Sequence, residues 1–202
     1  MMLSTGIISR PVYPGLVADL KARHNLFVIE GEGAAAVLDL AAKTPPEFFG
    51  KATLLYCPAG SAGRDYETQL QDLQPKALWS FPTPATAMFR LKGVLQTATM
   101  GTRLYFTGTE PFMGLALKEA IEAGVDHKSI ITEHRGSAKR RVQCVHCKGF
   151  TENVTTNPVT CSHCGLNLLV RDHYSRRLGA FQGVCIDAEV PGEAPAPEEI
   201  FR

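Results

Sequence analysis

The sequence predicts an α/β protein: a five-stranded, doubly wound parallel sheet followed by a small metal-stapled module. Three observations predict it. Short runs of β-branched, aromatic and leucine residues recur about every 25 residues through the first two thirds, the length of a strand, a helix and two short loops. Stretches of helical character lie between those runs. Then four of the six cysteines crowd into one short region, as two C-x-x-C pairs.

The strand candidates are Leu26–Glu30, Ala52–Cys57, Ala77–Phe81, Arg103–Thr107 and Ser129–Thr132. Each is nearly continuous in apolar character rather than alternating, as expected of parallel strands covered on both faces. Between them, Ala34–Ala42 is rich in alanine and leucine and stops before Thr44-Pro45-Pro46. Arg64–Leu73 spaces Tyr66, Leu70 and Leu73 at helical intervals, and Ala85–Ala98 carries Met88, Leu91 and Leu95 on one face. Glu110–Ala123 has Thr109 as its cap, Pro111 in its first turn and Gly124 to close it. Met113, Leu117, Ala120 and Ile121 form its buried stripe, and core packing is the reading that stripe supports.

Composition narrows the class. The chain has 202 residues, 45% apolar and 20% charged, with 21 Lys and Arg against 20 Asp and Glu, so disorder, collagen and coiled coil are excluded. No run reaches the ~18 apolar residues a membrane span needs. The start lacks a basic segment followed by a long apolar run, so no secretory signal is expected. These bounds favour a soluble cytoplasmic protein. The character changes after Thr132: between Arg135 and Arg177 eight Lys and Arg face only Glu152 and Asp172. We therefore expect a sheet domain over residues 1–134, a four-cysteine module over 135–189, and a flexible Pro/Glu-rich tail over 190–202.

Cys144-Val-His-Cys147, thirteen intervening residues, then Cys161-Ser-His-Cys164-Gly165 is the strongest motif. Each C-x-x-C makes a tight knuckle that aims two sulfurs at one ion, and a loop of this length returns as a hairpin to close the sphere. Four thiolates leave no open position, which argues for a structural Zn²⁺ in a zinc ribbon. A module of this size also gains from a metal what its small core cannot supply. Iron in the same sulfurs is the rival, and the polar, basic surroundings (Lys148, Arg171) favour zinc. His146, His163 and His173 are read as surface groups, Cys57 as a core residue, and Cys185 has no obvious partner. Scattered aromatics (Phe150, Tyr174, Phe181) make a poor stacking platform. A solvated face or a docking face for an acidic protein is therefore favoured over a nucleic-acid surface.

Ligands of an open parallel sheet sit beyond the carboxyl ends of its strands. The loops there are Glu30-Gly31-Glu32-Gly33 and Thr107-Gly108-Thr109-Glu110-Pro111, so Gly31, Gly33, Thr107, Gly108 and Thr109 are the candidates to hold a nucleotide. Leu104-Tyr105-Phe106-Thr107-Gly108-Thr109-Glu110-Pro111-Phe112-Met113, with Gly124 and Ser129–Glu133, resembles the end of the NAD domain of ferredoxin-reductase-type flavoenzymes, over roughly residues 24–134. Thr107 stands where that family has cysteine and Thr109 where it has proline. Glu32 puts a negative charge where phosphates should lie. NAD(P)H binding is thus an open but disfavoured alternative. The flavin barrel of the family has no room before Leu26, so no flavin is expected in this chain.

Taken whole, the order of a reductase-like sheet, a four-cysteine ribbon and a Pro/Glu tail resembles the DmmA-like small subunit family of dimethylamine monooxygenase, related to subunits of haem-dependent oxidative N-demethylases. The resemblance implies a role in methylamine degradation beside two partners, a haem-containing catalytic subunit and a flavin/iron–sulfur reductase subunit. It assigns no catalytic residue here. The reading is an accessory, non-catalytic subunit of that oxidoreductase complex, contributing assembly or reductase docking. An electron-transfer or NAD(P)H-binding component with a rubredoxin-like iron site is the alternative, and a zinc-ribbon nucleic-acid protein the third.

Overall fold

A computed structural model describes residues 9–58 and 63–202. The chain divides into two compact units, Tyr13–Gly136 and Ser137–Arg202, the latter joined by residues 9–12.

The first unit is a parallel sheet in the order β3-β2-β1-β4-β5. Its strands are β1 (His24–Glu30), β2 (Ala52–Cys57), β3 (Ala77–Ser80), β4 (Thr102–Gly108) and β5 (Ile130–His134). The helices are α1 (Gly33–Ala41), α2 (Glu67–Asp72), α3 (Pro84–Gln96) and α4 (Glu110–Glu122). Strand alternation divides the core in two. Phe27, Ile29, Leu54, Tyr56 and Tyr105 pack with Val37 and Leu40 of α1 and Leu70 of α2. Leu26, Val28, Leu55, Leu104 and Phe106 pack with Leu91 of α3 and with Phe112 and Leu117 of α4. Both faces are covered, which is why the strands read as continuous apolar runs.

Several details depart from the expectations. A short 3₁₀ turn, Pro46–Lys51, leads into β2 and buries Phe48 and Phe49, where Phe27 and Tyr105 stack with ring centroids 4.3 Å apart. Helix α3 starts at Pro84 because Thr83 and Thr86 form a reciprocal capping box. On α4, Met113, Leu117 and Ala120 are buried, but Ile121 is 37% exposed, one step round the helix from the stripe. Residues 13–19 run beside β5 and β4. Gly15 N donates to the Thr132 carbonyl at 3.3 Å, Leu16 N to Glu133 Oε2 at 2.8 Å, and Asp19 N to Tyr105 Oη at 2.9 Å.

The second unit holds β6 (Arg140–Cys144), β7 (Phe150–Val154), β8 (Thr156–Asn157), β9 (Val159–Thr160), β10 (Asn167–Ser175), β11 (Ala180–Cys185) and β12 (Glu198–Glu199). Its main sheet runs β7-β6-β11-β10-β9, with β11 parallel to β6 and antiparallel to β10. The strand of this sheet that comes last along the chain therefore lies at the centre, between a β6/β7 hairpin and a β9/β10 pair. Gly183 sits there opposite both Cys144 and Val170.

The end of the chain departs from the expected flexible tail. Strand β12 pairs with β8, and Phe201 is buried with Val154, Val170 and Phe181. The guanidinium of Arg140 lies between the rings of Phe181 and Phe201, 3.9 and 4.0 Å from their centroids, and pairs with Asp172 at 2.8 Å. The Pro- and Glu-rich composition hid the single aromatic anchor that Arg140 and the core of the second unit receive.

Candidate metal centre

Two loops of the second unit have the same backbone construction. In the first, β6 delivers Cys144, Lys148 N donates to the Cys144 carbonyl at 3.0 Å, and Cys144 N donates to the Gly149 carbonyl at 3.0 Å. In the second, Gly165 N donates to the Cys161 carbonyl at 3.1 Å and Cys161 N to the Leu166 carbonyl at 2.8 Å. The fifth residue of each loop is left-handed: Lys148 has φ 63° and Gly165 has φ 75°. Gly165 meets that demand without a Cβ, and Lys148 meets it with its ammonium donating to the Val145 carbonyl at 2.6 Å.

The two knuckles bring Cys144, Cys147, Cys161 and Cys164 together with all four sulfurs within 4.8 Å of one another. Cys144 and Cys164 are 3.8 Å apart and Cys147 and Cys161 3.7 Å. A tetrahedral ion with metal–sulfur bonds of about 2.3 Å requires sulfur–sulfur edges of about 3.8 Å. The sulfurs thus fit one tetrahedral ion. Gly149 N also donates to Cys147 Sγ at 3.4 Å, placing an amide dipole against a sulfur that would be anionic.

Electrostatics point the same way. Burial pushes the Cys161 thiol up, but the N–H groups of Cys164 and His163 and the thiols of Cys164 and Cys147 outweigh it and bring it down to about 6. Cys164 is held down by Leu166 N, yet burial and its three sulfur neighbours drive it up to about 12. The four thiols titrate as one coupled set whose ionisations are driven apart, because negative charges this close cannot accumulate without a cation.

His146 and His163 are exposed, as expected. His163 nevertheless has work to do: its Nε2 donates to the Phe150 carbonyl at 3.0 Å, and its ring covers Gly149. This bridge between the knuckles was missed in the sequence, where the signal is a glycine two residues after the first pair. Below it, Ser162 N donates to the Oγ1 of the buried Thr151 at 3.2 Å. Cys185 has a partner after all, donating to Asp187 Oδ1 at 3.3 Å. Asp187 in turn accepts from Asn167 Nδ2 and Gly192 N at 3.2 and 3.1 Å.

In the sheet unit, Cys57 is 1% exposed and burial, with Glu30 nearby, pushes its thiol up to about 11. It is an inert core residue at neutral pH. Gly31, Gly33, Thr107, Gly108 and Thr109 converge at the carboxyl ends of β1 and β4. Gly31 N donates to the Cys57 carbonyl at 2.9 Å, and the Oγ1 of the fully buried Thr107 meets no hydrogen-bond partner. Thr109 is the N-cap of α4 but does not accept from its own helix. Instead its hydroxyl and amide both donate to Glu30 Oε2, at 2.5 and 3.1 Å. A full carboxylate charge is the stronger partner, so the threonine turns outward to it. Glu32 accepts from the Tyr66 hydroxyl.

No helix among the described residues is long and apolar enough to cross a membrane. Among solved structures, flavohemoglobin from Malassezia yamatoensis is 13% identical over 57% of this chain and 32% of its own, with a TM-score of 0.43. The FAD/NAD-binding domain of nitric oxide dioxygenase from Vibrio cholerae is 14% identical over 62% of this chain and 56% of its own, with a TM-score of 0.46. The chain spans from about a third to just over half of those chains, and likenesses of this size add nothing to the topology above. Sequence comparison is more telling. The delta subunit of the heme-dependent oxidative N-demethylase of Ectopseudomonas mendocina (strain ymp) is 36% identical over 121 residues, 60% of this chain and 69% of that protein. Residues 5–130 match the N-terminal domain, and residues 141–184 the C-terminal domain, of the dimethylamine monooxygenase subunit DmmA-like proteins. The chain belongs to the DmmA-like family of dimethylamine monooxygenase subunits.

Proposed function

We propose that this chain is an accessory subunit of a heme-dependent oxidative N-demethylase of the dimethylamine monooxygenase type, working in the cytoplasm. The observation that carries the reading is the 36% identity to a delta subunit, over most of that subunit's length. Its partners in this reading are a haem-containing subunit that oxidises the amine and a flavin/iron–sulfur subunit that supplies electrons. The chain itself contributes assembly or reductase docking. Supporting a non-catalytic role, its most reactive side chains are spent: the four clustered sulfurs fit one ion, Cys57 is buried, and Cys185 is tied to Asp187.

In the same reading Cys144, Cys147, Cys161 and Cys164 hold Zn²⁺. When bound, the ion supplies cross-linking and charge balance between the knuckles, with no position left for a substrate. The residues around it orient the sulfurs: His163 ties one knuckle to the other, and Gly149 N donates to Cys147. Iron would fit edges of the same length, so the metal is decided by assay.

The test is co-expression with the neighbouring subunits, followed by affinity purification through this chain. Co-elution of a haem protein and a flavin protein, with about one zinc per chain and no visible absorption from the chain alone, is the expected result. A red isolated chain would favour the electron-transfer reading. A chain that passes electrons from NAD(P)H to an acceptor by itself would overturn the accessory role.

A further inference from the structure

In a doubly wound sheet a dinucleotide binds where two adjacent strands send their connections to opposite faces, with its phosphates against a helix N-terminus. Here those strands are β1 and β4: α1 covers one face and α4 the other. The chain's own atoms fill this place in three ways.

Glu30, the last residue of β1, sets Oε2 at 3.1 Å from Thr109 N and 2.5 Å from Thr109 Oγ1, so a fixed negative charge already faces the start of the 13-residue helix α4. The open faces of Gly33 and Gly108 are consumed by protein. A Cβ on Gly33 would lie 2.6 Å from Gly108 N and from the Thr107 carbonyl carbon, and one on Gly108 would lie 2.7 Å from Glu30 Cβ. A second carboxylate stands in the first turn of α4. Glu110 is only 8% exposed and accepts from the Tyr13 hydroxyl at 2.7 Å. Arriving phosphates would have to expel one carboxylate and lie beside another, where the helix offers its positive end only once.

We infer that Glu30 is an internal stand-in for an anion at the β1/β4 crevice: the sheet unit keeps an anion seat at the start of α4, fills it with its own side chain, and takes no NAD(P)H. The residues that the sequence offered as a nucleotide cradle are then a closed joint between β1, α1 and α4. This inference stands apart from the subunit assignment. A failed co-purification would leave it untouched, and its own failure would leave the family membership untouched.

The full chain carries the test. Wild type titrated with NADPH and NADH up to ~1 mM should show no saturable binding. Glu30→Ser removes the carboxylate and leaves space at Thr109, so the variant should melt earlier and should gain a response to inorganic pyrophosphate. At ten times its dissociation constant that anion should raise the melting temperature by about 4 °C in the variant and not in wild type. Glu30→Gln, which keeps the shape and removes the charge, serves if the serine variant does not fold. Saturable micromolar NADPH binding by wild type, or an equal pyrophosphate response in wild type and variant, overturns the inference.

Discussion

Gly149 and His163 are packed against each other so closely that a Cβ on the glycine would lie 2.5 Å from the imidazole Cγ. One belongs to the first knuckle and the other to the second. Gly149→Ala should therefore push the ring off the Phe150 carbonyl and spread the sulfurs. Overpacking of this kind costs about 1–3 kcal/mol. We expect faster metal loss to a chelator and a lower melting temperature. Removing the ring as well, in Gly149→Ala/His163→Ala, should restore part of the loss. Equal chelator resistance in wild type and Gly149→Ala would show that the contact does not govern the site.

Cys144→Ser removes one vertex from the sulfur tetrahedron. Because the two units have separate cores, residues 140–185 should lose their ordered β structure while the parallel sheet persists. Amide exchange resolves the two units. Collapse of protection in β1 and β4 together with the second unit would mean that they fold as one.

Phe201 closes one side of the Arg140 guanidinium, and the residue is 7% exposed. Phe201→Ala opens that side to water and should cost about 3 kcal/mol, measured by denaturant unfolding of the second unit. Val190→Ala, at a side chain 52% exposed, should change nothing. A silent Phe201→Ala would mean that the Phe201 ring contributes no stability to the second unit.

Asp19 pairs with Arg103 at 2.5 Å, and that guanidinium holds its carboxyl below the usual carboxylate range. The unfolded chain then binds the proton more readily than the folded one. The stabilisation is complete above the unfolded value of about 3.9 and is lost as pH falls through the lower folded value. Asp19→Asn should flatten the acid limb of the stability curve below about pH 4 and cost about 1 kcal/mol at neutral pH. Parallel acid limbs for the two proteins would exclude this pair as the cause.

The parts legible in the sequence are those whose signal is local. Two C-x-x-C pairs bring their own geometry, and β4 followed by Thr109, Glu110 and Pro111 announces a strand, a turn and a helix start. Whatever depends on a distant partner was hidden. Phe201 looks like one aromatic in a polar tail until Arg140, 61 residues earlier, is placed beneath it. Thr109 looks like a cap until Glu30, 79 residues away, claims its hydroxyl. The second unit looks like one hairpin because nothing in the sequence says that β11 inserts between β6 and β10.

That insertion makes Gly183 a keystone. A Cβ there would meet Val142 Cγ1 at 2.8 Å and Leu168 Cδ1 at 2.9 Å, prying apart the two strands that carry a knuckle at one end each. The spacing of the four sulfurs thus depends partly on a position with no donor atom, and under the proposed metal assignment a methyl group wedged into the strand seam would be felt as a loosened ion.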